Sequence, residues 1–396
     1  MPTVTERVRL EPERLAALQA ALRERELDGW LWYNFRDTNP IAAAMLGLPP
    51  RLTRRYFVLV PVDGPPRALI HRIETGPWAE WPGECRVYLT WQELHAGLRA
   101  ILGGCRRVAL EYSPQDAIPY LDRVPAGVVD LVRSCGVEAV SSGALLARFY
   151  ARWSAEGRAS HRRAATVLAD VAQLAFVHAF THPDETDWGL RGWVLERLQE
   201  RGVTEGADCI VAVGSDAADP HFAPTPERAR PIGRDSVVLL DLWGKEPGSE
   251  SIYADQTWMA FTGPALPPEV ARVWSAVRRA RDAVVEHLRR TPLPIPACDL
   301  DDVAREVLRQ AGLAEAFVHR TGHSIDRDLH GSGPHLDNLE THDTRPLEPG
   351  LGFSVEPGVY LPGRFGVRSE INVFLGPDGP EVTPATPQTE PARPGT

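Results

Sequence analysis

The second half of this chain lays out the same succession of parts twice, which restricts the fold more than any other feature. Residues 154–179 carry Ala164, Val167, Leu168, Val171, Leu174 and Ala175 at helical spacing, predicting a long amphipathic helix. A shorter helix over 187–201, stopped by Gly202, leads to an apolar strand at 209–213 and a loop around His221. Strands follow at 237–242 and 252–261. From Pro268 the order begins again: a long helix over 269–288, then a shorter one over 300–310 closed by Gly312 as a C-terminal cap. A histidine-rich loop spans 319–342, and strands follow at 352–356 and 367–374. Two such halves facing each other would build one site at their junction.

The repeat also aligns its acids. Asp241 and Asp255 stand 14 residues apart, and so do Glu356 and Glu370. All four lie on predicted strands among apolar neighbours, as in "VVLLDLW" and "FSVEPGVY". A buried ionised carboxylate is costly unless it is paired or bound to a metal. One such acid is most simply explained as facing solvent; four at matched positions are not. Five of the twelve histidines fall in one loop: His319, His323, His330, His335 and His342. His323 lies between Gly322 and Ser324, on a segment able to approach a site closely. His330 is seven residues further on, so the loop must bend if both rings are to meet. Carboxylates with an imidazole suit hard or borderline ions: Mn²⁺ first, with Co²⁺, Zn²⁺ and Fe²⁺ also accommodated. Such a set can hold two ions that acidify a shared water and clamp a hydrolytic transition state.

On these segments the chain resembles a known family. "VVLLDLWGK", "IYADQT", "RTGHSI", "FSVEPGVY" and "FGVRSEINV" occur in the order and spacing of the two-metal pita-bread peptidases. That group comprises prolidase, aminopeptidase P and methionine aminopeptidase, with creatinase as a relative that works without metal. The resemblance implies that Asp241, Asp255, His323, Glu356 and Glu370 are metal ligands, with Asp255 and Glu370 bridging two ions. It implies a bridging hydroxide attacking the scissile carbonyl, Glu356 shuttling the proton, and His330 holding the carbonyl or oxyanion. His221, in "DPHFAP", matches a histidine near the leaving group. His335 and Arg368 match positions open to substrate, Arg368 toward a substrate carboxylate; a structural ion pair is an equal alternative for Arg368. The family motif Gly-His-Gly-Ile-Gly reads Gly322-His323-Ser324-Ile325-Asp326 here, placing a side chain where glycine permits close backbone approach. Asp326 either faces the metals and alters them or points away as a local structural substitution.

The implied fold is α/β: an N-terminal creatinase-like α/β domain over 1–147, then a pseudo-twofold α+β pita-bread catalytic domain over 148–383. The first part fits, with a helix predicted at 12–26 and short buried strands at 30–33, 56–60, 87–89 and 108–110. The Pro- and Thr-rich residues 384–396 are expected to be a disordered tail. The net charge is −10, a single lysine (Lys245) is present, and no basic run occurs, which argues against nucleic acid as a partner. No apolar run approaches the roughly 20 residues of a membrane span, and residues 1–10 carry no apolar signal core. Five widely spaced cysteines without a Cys-x-x-Cys motif read as reduced thiols, so a cytoplasmic protein is expected. The activity implied is cleavage of small peptides before proline. A non-peptidase hydrolase or lyase of the same fold, or a non-catalytic binding protein, is the alternative; five intact ligands count against the metal-free creatinase branch in particular and against the non-catalytic protein. Trp30, Trp32, Arg36, Arg54 and Arg55 suit an interface, and a homodimer is expected, although the two tryptophans would equally serve the domain's own core.

Overall fold

The computed structural model describes residues 10–48, 52–182 and 184–395. Residues 1–9, most of the segment in which no signal core was found, lie outside that set. The chain divides into two compact units, Met1–Tyr150 and Ala151–Thr396.

The first unit is built on a six-stranded sheet of β1 (Gly29–Asn34), β2 (Tyr56–Pro61), β3 (Arg67–His71), β4 (Glu84–Tyr88), β5 (Arg107–Leu110) and β6 (Glu138–Ser141). Their order is β4-β3-β2-β1-β5-β6. β1–β2 and β2–β3 pair antiparallel and the other neighbours parallel. Successive side chains of a strand point to opposite faces, and both faces here are covered. Trp30, Trp32, Val58 and Ile70 enter one core; Leu31, Leu59, Leu69 and Val108 enter the other. Trp30 and Trp32 are fully buried and meet edge to face at 5.3 Å, so they belong to the core and not to an interface. The strand expected at 87–89 also differs. β4 is an edge strand with four exposed residues, and Val87 remains 49% exposed. Sheet pairing on its inner side gives β4 its conformation.

The second unit holds a sheet of β7 (Glu205–Val213), β8 (Val237–Lys245) and β9 (Ala254–Phe261). A second sheet contains β10 (Ser324–Ile325), β11 (Gly352–Val355), β14 (Ile371–Gly376) and β15 (Gly379–Thr383) in that order. The hairpin of β12 (Gly358–Leu361) with β13 (Phe365–Arg368) lies between β11 and β14 in the chain. Each repeat contributes a helix pair. Ala155–Thr181 and Asp187–Glu200, capped by Ser154 and Thr186, pack on Val238, Leu240 and Leu242 of β8. Pro268–Arg290 and Ala297–Gln310 share a core with Val237, Leu239, Met259, Phe353 and Val373. The twofold alternation of β8 thus places Asp241 on the face of Val237 and Leu239, toward the second repeat. The 27-residue helix Ala155–Thr181 is long and apolar enough to cross a membrane by length and composition, and its Ala164, Leu168, Val171 and Ala175 are buried in the core.

Two expectations are corrected in this unit. The strand predicted over 367–374 is broken at Ser369-Glu370, because β13 pairs with β12 whereas β14 pairs with β11. Glu356 and Glu370 therefore lie just beyond the last register pair of β11 and β14, Val355↔Ile371, and not within strands. The C-terminal residues expected to be disordered are held in place. The Gln388 side chain accepts from the Met259 N–H at 2.9 Å and donates to the Met259 carbonyl at 2.7 Å. Ala392 bridges to Ala260, and the Trp274 indole donates to the Thr389 carbonyl at 3.0 Å. A Pro- and Thr-rich segment forms no helix, but here it satisfies backbone groups along the free edge of β9.

Candidate active site

Cross-strand register sets the first half of the site. Asp241 of β8 faces Thr257 of β9, and Asp255 is two residues from Thr257, so all three side chains share a face. The ends of β11 and β14 bring Glu356 and Glu370 to the same place. The Thr257 hydroxyl donates to Glu370 Oε2 at 2.8 Å, and the Glu370 N–H reaches the Thr257 carbonyl at 3.4 Å. Asn372 fixes Asp255 from the other sheet: its side chain accepts from the Asp255 N–H at 3.0 Å and donates to the Asp255 carbonyl at 2.6 Å.

His323 enters from the neighbouring strand. A Cβ at Gly322 would lie 2.0 Å from the Ser354 carbonyl oxygen, so only glycine allows this crossing. The Ser354 hydroxyl then accepts the His323 N–H at 3.0 Å. His323 Nε2 stands 3.3 Å from Asp255 Oδ2 and 3.6 Å from Glu356 Oε1. Ligand atoms of Asp255, His323 and Glu370 all lie within 4.8 Å of one another. Asp241 Oδ1, Asp255 Oδ1 and Glu370 Oε1 are buried with no hydrogen-bond partner among the described residues. Buried acceptors are rarely left unpaired, and three together around an imidazole form a donor set suited to divalent cations. Of the five predicted ligands, Asp255, His323 and Glu370 thus form a cluster that fits a metal ion, with Glu356 beside His323 and Asp241 on the shared face of β8 and β9.

The electrostatics carry the same sign. Burial raises Asp241 to about 7, against the opposing charge of Arg368. Burial, with neighbouring carboxylates, also raises Asp255 and raises Glu370 well above the usual range. Crowded acids of this kind are stabilised as anions by a cation. Glu356 differs: burial acts against its charge, but His323, His319, Arg368 and Arg320 hold it below the ordinary value.

Arg368 is paired with Asp241 Oδ2 and also donates to the Thr257 hydroxyl at 2.8 Å and the Tyr360 hydroxyl at 3.4 Å. The structural ion pair left open by the sequence is therefore present. The His323 and His330 rings meet edge to face with centroids 4.3 Å apart, so the loop does bend. His330 keeps an open surface, yet the surrounding protein and then the charges of His323 and Arg320 hold its imidazole neutral. His221 is exposed on a turn, and its charge is felt at His330. His335 is fully buried, with Nε2 3.2 Å from the Gly331 carbonyl and its N–H donating to Asp343 at 2.8 Å. Its bond to Gly331 ties it to the loop that carries His330.

Sequence reading missed several members of this site. His319 Nε2 pairs with the Tyr360 hydroxyl at 2.9 Å, linking the histidine loop to Arg368. Thr257 joins Arg368 to Glu370. Buried Asp301 accepts from the Thr321 N–H and hydroxyl at 2.9 and 2.6 Å, two residues before His323. Thr257 and Tyr360 stood inside the quoted "IYADQT" and "FSVEPGVY", whereas His319 and Asp301 lay outside every quoted motif.

The chain was compared with known proteins. Residues 158–377 match the model of Metallopeptidase family M24. The chain is 30% identical over 332 residues to a probable dipeptidase PepE of Mycobacterium tuberculosis, covering 82% of each chain. It is 32% identical over 183 residues to a Xaa-Pro dipeptidase of Lactobacillus helveticus, covering 46% of each. Among solved structures, dipeptidase PepE from Mycobacterium ulcerans superposes with a TM-score of 0.75 at 27% identity, over 96% of this chain and 97% of that one. A prolidase from Thermococcus sibiricus gives 0.69 at 21% identity, over 97% and 100%, and shares the fold.

Proposed function

Because the chain belongs to Metallopeptidase family M24 and is a peptidase, we propose that it cleaves Xaa-Pro peptide bonds in small peptides, using two divalent ions. Asp241, Asp255, His323, Glu356 and Glu370 would hold the ions, with Asp255 and Glu370 shared between them. The observation that carries this reading is the set of partnerless buried oxygens on Asp241, Asp255 and Glu370, the last two clustered with His323. Mn²⁺ suits a carboxylate-rich set best, with Co²⁺, Zn²⁺ and Fe²⁺ as substitutes. Bound there, the ions would supply Lewis-acid polarisation of the scissile carbonyl and a water acidic near neutral pH.

The remaining work falls to the protein. Glu356, held as a carboxylate beside His323, takes up a proton and returns it to the leaving nitrogen. Neutral His330 donates a hydrogen bond to the carbonyl oxygen as charge develops there. The imide of an Xaa-Pro bond has no N–H, so its nitrogen must be protonated as it leaves; exposed His221 is the second group offered for that step. Arg368 orients Asp241 and, through Thr257, Glu370. The names of the Lactobacillus and Thermococcus relatives support proline after the scissile bond.

A homodimer is part of the same proposal. Arg36, Arg54 and Arg55, which make no ion pair among the described residues, line an open groove of about 830 Å³ with Phe35 and Trp91, a composition suited to an interface. Five free thiols are consistent with a cytoplasmic setting. The test is metal analysis with hydrolysis of Xaa-Pro dipeptides and tripeptides, before and after chelation and Mn²⁺ restoration. The reading requires metal-dependent cleavage that favours Xaa-Pro over matched Xaa-Ala peptides. Equal cleavage of both series would remove the proline assignment, and activity that survives complete chelation would remove the metal mechanism.

A further inference from the structure

The two residues that replace motif glycines after His323 act on the same loop. Ser324 and Asp326 are both buried. Asp326 points away from the ligand set. Its Oδ1 accepts the Asp328 N–H at 2.8 Å and its Oδ2 the Ser332 N–H at 3.0 Å. The Ser324 hydroxyl accepts the Gly333 N–H at 3.1 Å, and the Ser324 carbonyl accepts the Gly331 N–H at 2.7 Å. The loop enclosed by these bonds, 327–333, carries His330.

Space has been cleared for both side chains across the loop. A Cβ at position 331 would sit 2.6 Å from Asp326 Oδ2, and one at 333 would sit 2.5 Å from Ser324 Oγ. Side chains at 324 and 326 thus fit because 331 and 333 have none. A turn whose amide donors are met by a buried carboxylate and hydroxyl is held from both ends. Between those ends, the His330 ring sits against the His323 ring.

We propose that Ser324 and Asp326 form a clamp that positions His330 for turnover, with Gly331 and Gly333 as its matched counterparts. The clamp rests on the peptidase reading for its catalytic consequence, but not for its existence. Asp326 and Ser324 are positioning residues: the Ser324 carbonyl meets His323 Nδ1 at 3.1 Å, but the side chains at 324 and 326 bond only to the 328–333 amides and act through His330. A misplacement on the order of 1 Å can cost up to about a hundredfold in rate.

The experiment is a cycle of purified metal-loaded variants: Asp326→Gly, Asp326→Asn, His330→Ala and the double variant Asp326→Gly/His330→Ala. Asp326→Gly should lower kcat by roughly ten- to a hundredfold, with KM and metal content unchanged. Asp326→Asn keeps one acceptor oxygen and should fall between. In the His330→Ala background Asp326→Gly should cost nothing more, because residues acting through one another are not additive. Hydrogen exchange of the 327–333 amides should quicken in Asp326→Gly. Should Asp326→Gly not fold, Ser324→Gly, which removes one bond, takes its place in the same cycle. An equal further loss in the His330→Ala background, loss of metal, or wild-type exchange and turnover would each overturn the clamp. If the wild type cleaves no Xaa-Pro peptide, the peptidase reading fails by itself, and exchange alone decides the clamp: faster supports it, unchanged refutes it.

Discussion

Asp301→Ala should weaken both the stability of the catalytic unit and its metal site. Asp301 lies on the helix Ala297–Gln310 and is fully buried. Its Oδ1 holds the Thr321 N–H and hydroxyl; its Oδ2 accepts from Arg305 Nε at 2.7 Å and the Asn338 N–H at 2.9 Å. Arg305 and Asn338 border solvent, so water can replace part of what they lose. Thr321 is fully buried and cannot be reached in the same way. An orphaned buried donor costs about 1–3 kcal/mol. With a reduced share for Arg305 and Asn338, the total is about 2–4 kcal/mol. At about 2–4 °C per kcal/mol for a unit of this size, the melting temperature should fall by roughly 4–16 °C. The Thr321 carbonyl also accepts the Glu356 N–H at 2.7 Å, so the change displaces two ligand segments together. Losing an outer-shell partner typically costs about 10–100-fold in metal affinity. Near-ultraviolet circular dichroism on heating and competitive metal titration measure the two effects. A variant that melts within about 1 °C of wild type and binds metal as tightly would refute the claim that Asp301 anchors the His323 strand.

Further outcomes follow from the site and from the first unit. Asp255→Ala should remove both ions by elemental analysis, whereas Asp241→Ala should leave one partly bound. His330→Ala should retain the ions and lose on the order of 10²–10³ in kcat, as expected for a donor to a developing oxyanion. Glu111, fully buried beneath Trp30, Asn39 and Ser142, is raised by burial from 4.5 to about 7. A raised carboxyl stabilises the fold below its unfolded value, and that contribution is lost as pH rises through about 7. It amounts to about 3 kcal/mol, so the first unit should melt lower as pH rises through this window, and Glu111→Gln should flatten the trend.

Much of the second unit was legible because its signals are local and occur twice. Helical spacing and glycine stops marked the helices, and apolar stretches marked β8 and β9. The misreadings come from pairing, which is not local. Residues 367–374 set Val367, Ile371, Val373 and Phe374 around a polar Arg-Ser-Glu stretch, and nothing in that run shows that Val367 pairs with Val359 but Val373 with Phe353. The break falls at Ser369-Glu370, and it lets Glu370 turn toward Asp255. Val87 has a strand-forming neighbourhood, but exposure at a sheet edge depends on what covers the outer side. The C-terminal residues lack periodicity, and their order comes from Met259, about 130 positions earlier in the chain.

The site divides along the same line. The ligands were legible because metal chemistry demands particular residue types, and the two 14-residue spacings made four acids hard to explain singly. Their supports carry no such signature. Thr257, Tyr360 and Asp301 are ordinary residues until folding brings them beside Glu370, Arg368 and Thr321. Arg368 shows why. Its position beside Glu370 fitted a substrate contact and an ion pair equally, and only folding brings it to Asp241, 127 residues away. That pairing bears on mechanism. A guanidinium on Asp241 Oδ2 leaves Oδ1 as the oxygen available to an ion, so Arg368 fixes which edge of the carboxylate faces the site. Arg368→Lys keeps the charge but loses the planar fork that spans Asp241 and Thr257. It should therefore weaken metal binding more than the unchanged charge would suggest, and an unaltered dissociation constant would show that charge alone holds Asp241 in place.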